Sequence, residues 1–230
     1  MNNIIKNNKN AIYTIIGIAI LIAIFFGASK LSKDKQGNIE EYSVSQLEKL
    51  DEETKKKALE AKLQEYQTAV NNLPQDANSS DKYSAYSVLS EAQIALGQYD
   101  EALKSLESIP DDKRNSKRVY YQFAQIYKAK DDKFKAMENA TKALERDQGD
   151  VPSWLLYLEV ATSLSNEELN GKYREAVVKT GSNVEIMISY AKFCERIGDK
   201  AIAIAAWETA INGDPANEAK YREEIARLRQ

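Results

Sequence analysis

Three patterns of apolar and polar positions follow one another along the chain. From Ala11 to Ala28 almost every residue is apolar, and no charge interrupts the 20 residues between Lys9 and Lys30. Ser29 to Ser45 is polar, with Gly37 and Asn38 as helix breakers. From about Asp51 onward apolar side chains recur at spacings of three and four, the mark of amphipathic helices. The first of these helices carries Leu59, Leu63, Tyr66, Val70 and Leu73, and Pro74 ends it before a polar loop from Gln75 to Asp81.

The opening apolar run predicts a transmembrane helix. As a helix, residues 11–28 reach about 27 Å, close to the roughly 30 Å of a bilayer core. A soluble helix apolar on every side would need central burial, and everything after it is charged and amphipathic. A cleavable secretory signal is the competing reading, since Lys6 and Lys9 precede the run and Gly27-Ala28-Ser29 could be cut. The length of the run favours a retained anchor. Lysines flank it on both sides, so charge does not fix sidedness; the short leading tail favours a repeat domain outside the cytoplasm. The expected organisation is a tail and anchor over 1–29, a polar tether over 30–50 and a helical domain over 51–230.

Self-similarity organises the helical part. Ala95-Leu96-Gly97-Gln98-Tyr99-Asp100-Glu101-Ala102-Leu103 sets a glycine turn before an alanine-led helix. Arg196-Ile197-Gly198-Asp199-Lys200-Ala201-Ile202-Ala203-Ile204 does the same. Ala102 and Ala136 stand 34 residues apart, and Ala203 follows Ala136 by 67, two such periods less one. On these residues the sequence resembles the tetratricopeptide repeat family, whose unit is a pair of antiparallel helices. The resemblance implies an all-α fold: a transmembrane helix, then a superhelical solenoid with a C-terminal capping helix. Repeats are expected at about 83–116, 117–150, 151–183 and 184–217. A partial leading repeat at 56–74, with Tyr66, Ala69 and Pro74 in step, and a cap at 218–230 complete the set.

Within each unit the small residues Ala102, Ala136, Ala143, Ala203 and Ala210 are expected where helices cross closely, and aromatics fill wider gaps. Inward positions are Tyr86 and Leu89, then Tyr120, Phe123 and Tyr127, then Trp154, Tyr157 and Leu158, then Met187, Tyr190, Ala191 and Cys194. Asp131-Asp132 replaces the turn glycine in the second unit. In the third, Asn170 stands where the family has a small apolar residue, which weakens the helix crossing there. Tyr221, Ile225 and Leu228 are the buried side of the cap.

Composition narrows the function. Histidine is absent, which removes the commonest general base and every imidazole-dependent triad. The single cysteine, Cys194, falls on an apolar stripe and reads as a small hydrophobe. Net charge is -3 with both signs dispersed, Lys55-Lys56-Lys57 being the one basic cluster, so nucleic acid finds no footprint. Adjacent acids at Asp111-Asp112, Asp131-Asp132 and Glu167-Glu168 keep a carboxylate-dependent envelope enzyme as the alternative, although turn and cap roles in loops explain them.

The resemblance implies no cofactor and no catalysis, but a scaffold whose concave face, lined by the first helices, grips a peptide or partner helix. An envelope complex such as a secretion, pilus, translocon or wall-building assembly is the expected setting. The groove residues implied are Ser87, Glu91, Arg118, Tyr121, Gln125, Lys128, Leu155, Glu159, Ile188, Lys192 and Arg196, with Arg118 and Tyr121 as anchors. Ser87 and Glu91 occupy places where some family members carry a carboxylate-gripping lysine and asparagine, so that clamp is not implied.

Overall fold

The computed structural model describes residues 51–230, within the unit Tyr42–Gln230. The apolar segment 11–28 and the polar tether 30–50 lie outside the described residues. Among the described residues there is no strand, and no helix is long and apolar enough to cross a membrane.

Eleven α-helices follow in order among these residues: α1 (Glu52–Asn71), α2 (Ser79–Ala95), α3 (Tyr99–Glu107), α4 (Asp111–Arg114), α5 (Lys117–Ala129), α6 (Lys133–Arg146), α7 (Val151–Val160), α8 (Asn166–Lys179), α9 (Val184–Ile197), α10 (Lys200–Gly213) and α11 (Glu218–Leu228). A 3-10 turn, Pro215–Asn217, leads into α11. Most starts have a side-chain cap in the sequence. The carboxylates or amides of Asp51, Asn78, Asp132, Asp150, Asn183 and Asp199 accept from first-turn amides, and the Ser116 and Ser165 hydroxyls do the same. The polar loop after Pro74 is shorter than its composition suggests, because Asn78 caps α2 and draws Asp81 into its first turn.

Neighbours in sequence are mostly neighbours in space, as a solenoid requires: the longer helices pack mainly on those next to them along the chain, while the short α4 rests on α2. Three of the hairpins turn on one backbone device. Gly97 (φ 74°), Asp131 (φ 59°) and Gly198 (φ 82°) adopt the left-handed conformation. The next residue's amide then reaches back, Gln98 to Gln93 O at 2.8 Å, Asp132 to Tyr127 O at 2.9 Å and Asp199 to Cys194 O at 2.9 Å. Asp131 therefore does carry out the glycine's task, at a backbone cost that a Cβ imposes.

Small residues sit at the crossings. Ala102, Ala136, Ala140, Ala143, Ala203 and Ala210 are all fully buried. The core is a chain of three clusters: Leu63, Leu89 and Ala92 between α1 and α2; Ala102, Leu106, Ile109, Val119 and Ile126 between α3 and α5; and a larger one from Ala124 to Leu228. α5 thus contributes to two clusters, one on each side of it. Its buried stripe is Val119, Gln122, Ala124 and Ile126, while Tyr120, Phe123 and Tyr127 are only half-buried beside it. Cys194 is fully buried, and burial pushes its thiol pKa up to about 11, so it packs as an apolar group. The partial leading unit departs from the small-residue rule, because Ala69 is exposed and Tyr66 half-buried.

The third hairpin is built differently. The link between α7 and α8 runs over 161–165, longer than the two or three residues of the other turns, and the two helix backbones approach closely at few points. Aromatic rings join α8 to α9 instead: Tyr173 stacks on Phe193 at 4.8 Å and on Tyr190 at 5.3 Å. Asn170, in the place of a small residue, accepts the Tyr190 hydroxyl at 2.7 Å. At the far end Tyr221, Ile225 and Leu228 bury the cap helix, and Trp207 stacks on Tyr221 at 5.6 Å.

A cleft between two first helices

α5 and α7 lie side by side because the turn joining α6 to α7 is tied back to α5. Lys117, in the first turn of α5, bonds Asp150 at 2.6 Å and Asp147 at 3.0 Å. Asp150 in turn caps α7 by accepting from the Ser153 amide at 3.0 Å. Burial acts to raise the Asp150 pKa, but the bonds from Lys117 and Ser153 outweigh it and hold the carboxyl below its ordinary value. The same contacts raise Lys117, the bond to Asp150 foremost. Trp154 adds a lock, its indole N–H donating to Gln148 O at 2.8 Å.

So positioned, the two helices frame a cleft of about 510 Å³. α5 supplies Tyr121, Gln125 and Lys128, spaced four and three apart so that they share one face. From α7 come Leu155 and Glu159, again four apart, with Pro152 and Leu156 beside them. Ile94 at the end of α2, Tyr99 at the start of α3, Ala129 and Glu185 in the first turn of α9 complete the wall. Lys128 and Glu159 face each other across it at 2.6 Å.

Five of the residues expected from sequence, Tyr121, Gln125, Lys128, Leu155 and Glu159, thus share this cleft. The others lie elsewhere. Arg118 and Glu91 are exposed and paired with each other, which binds α5 to α2 and commits the Arg118 charge. Ser87 is fully buried and cannot line a groove open to solvent. Its carbonyl accepts from the Gln122 amide at 2.9 Å, and Gln122 accepts from Ser90 at 3.1 Å, forming a polar seam between α2 and α5. On α9, Ile188 is half-buried against the core, Lys192 is exposed, and the Arg196 guanidinium sits 5.3 Å over the Phe193 ring; none of the three lines the cleft. Ile94, Tyr99, Pro152 and Glu185 were beyond stripe reasoning because they stand at helix ends, where the mid-helix spacing does not apply. Tyr99, directly after the Gly97-Gln98 turn, offered the best signal.

The paired acids do structural work. Asp132 accepts from the Lys135 amide at 3.1 Å, and Asp111 pairs with Arg114 at 2.9 Å. Glu167 and Glu168 are not in a loop but in the first turn of α8. There Glu168 accepts from the Ser165 amide at 2.8 Å while Ser165 Oγ accepts from the Glu168 amide at 3.3 Å. Among the described residues no group of three or more acidic or cysteine side chains is placed to hold a metal ion.

Comparison with known proteins agrees with this architecture. Residues 117–150, the α5–α6 hairpin, match the tetratricopeptide repeat family model. No curated protein matches the chain. Among solved structures, the chain resembles TTC0263, a thermophilic TPR protein of Thermus thermophilus. The two share 18% identity and a TM-score of 0.55 over 75% of this chain and 91% of the other. It also resembles MamA, at 16% identity and a TM-score of 0.56, over 75% of this chain and 99% of that one. At such identities the likeness shows the fold, which is the tetratricopeptide-type helical solenoid.

Proposed function

We propose that the protein is a membrane-tethered binding scaffold whose α5–α7 cleft receives a peptide segment or helix of a partner protein. The carrying observation is the cleft itself: aromatic and aliphatic side chains from consecutive repeats lie open to solvent beside a few fixed polar groups. Tyr121 is the anchor. It is half-buried and presents a large ring on the wall, the kind of side chain that dominates binding energy. Arg118 is not counted with it, since its charge is already matched by Glu91.

Residues 11–28 serve as the membrane anchor, and the repeat domain stands outside the cytoplasm, where it assists assembly of an envelope complex. The support for the anchor is the uncharged apolar run itself.

Two experiments test this. A photo-crosslinking amino acid at Gln125 of the membrane-embedded full chain should capture discrete protein partners that the same group at Phe134, exposed on α6 outside the cleft, does not. Identical bands from both positions, or none from Gln125, would remove the cleft assignment. Protease added to spheroplasts should digest the repeat domain, and alkaline carbonate should leave the chain in the membrane. A protected domain, or a released chain, overturns the corresponding half of the reading.

A further inference from the structure

The cleft is chemically unbalanced, and the imbalance specifies its guest. The nearby cations are spent inside the fold: Lys128 on Glu159, Arg118 on Glu91, and Lys117 on Asp147 and Asp150. Glu185, exposed on the cleft wall in the first turn of α9, has no cationic partner among the described residues. The rings are equally informative. Tyr127 already has the Lys135 ammonium 5.2 Å from its centre, and Tyr120 has that of Lys142 at 5.8 Å. Tyr99 and Tyr121, which line the cleft, have neither a cation nor a stacked ring among the described residues. What the site offers unused is one negative charge, two half-buried tyrosine rings and the apolar floor of Leu155 and Leu156.

From the charges and rings of this cleft, we infer that it selects a partner segment bearing a lysine or arginine beside a bulky aliphatic residue. The inference rests on the peptide-binding reading above and sharpens it. The cationic end meets Glu185, the methylene stem lies along the tyrosine rings, and the aliphatic neighbour covers Leu155. An acidic segment is rejected, because it would bring like charge toward Glu185 with no free cation to offset it. The field at Tyr121 points the same way. Burial foremost, then the carboxylates of Asp150, Glu91 and Glu159, raise the pKa of its phenol, so negative charge is disfavoured there.

Calorimetric titration of the detergent-solubilised full chain tests this with three short peptide pools. The pools differ only at a central position, lysine, glutamine or glutamate, with leucine fixed beside it. The lysine pool should bind about tenfold more tightly than the glutamate pool, a preference that shrinks as salt is added. Glu185→Gln, a change at an exposed side chain, should erase most of that preference, read as the ratio of the lysine-pool to the glutamate-pool Kd. Tyr121→Ala should weaken all three pools, with helix content by circular dichroism confirming that both variants are folded. Equal affinity for the lysine and glutamate pools overturns the charge selection and leaves the peptide groove standing. If no pool binds, or Tyr121→Ala changes nothing, both readings fall. Self-association that Tyr121→Ala abolishes would mean that a second copy fills the cleft, which also overturns the inference.

Discussion

The second and third hairpins differ in how two helices are held at a distance. In α5–α6, a three-residue turn with Asp131 in the left-handed conformation leads straight into α6. The buried alanines 136, 140 and 143 then let the backbones close on one another along their length. In α7–α8 the first helix stops at Val160, the link is longer, and α8 carries Leu169, Asn170 and Tyr173 on its inner side. Large groups there hold α8 away from α7 and join it to α9 through stacked rings. One hairpin is stabilised by what its side chains omit, the other by what they fill.

The contrast can be broken most severely at the ring stack. Tyr173→Ala should cost about 3–5 kcal/mol, read as a lowered urea midpoint, because it removes a large buried ring with partners on two sides. Ala136→Leu attacks the other hairpin by overfilling it and should cost about 1–3 kcal/mol by the same measurement. A smaller effect is expected at the turn between them. Because Asp150 titrates below its ordinary value, its contribution is complete above the unfolded carboxylate pKa of about 3.9. It is lost as pH falls below that through the lower folded value. Asp150→Asn keeps a capping oxygen but loses the charge, so acid unfolding curves of this variant should show a flatter dependence in that window. The slightest change is a gain. Asp131→Gly relieves the backbone at φ 59° and should stabilise by under about 1 kcal/mol, once the added freedom of the unfolded chain is subtracted.

Much of the architecture was legible because it is written in local spacing. Gly97 and Gly198 mark turns, and alanines at one interval mark the crossings. Asn170 could be seen as an intruder at a crossing, though not as the acceptor for Tyr190, a partner 20 residues on. Ser87 was misplaced for the same reason. A small polar side chain on a first helix looks solvent-facing until Gln122, 35 residues later, folds against its carbonyl. Periodicity reports which face of a helix is apolar, but it is silent on polar pairs that satisfy each other across a seam. The cleft was half legible. Its α5 and α7 walls follow helical spacing, whereas Tyr99 and Glu185 enter from helix starts whose direction only the assembled stack defines.

The two tryptophans, buried for packing reasons, also furnish an optical readout. Trp154 meets Tyr157 edge-on at 6.0 Å in α7, and Trp207 donates to Glu195 at 2.7 Å in α10, so the aromatic α8–α9 junction lies between them. Chains carrying Trp154→Phe or Trp207→Phe therefore retain a single tryptophan apiece, whose emission is separated from that of the tyrosines by excitation at longer wavelength, without any added dye. If the loosely joined third hairpin is a breakpoint in cooperativity, the two emission signals will melt at separate temperatures; if the array is a single cooperative unit, they will move together.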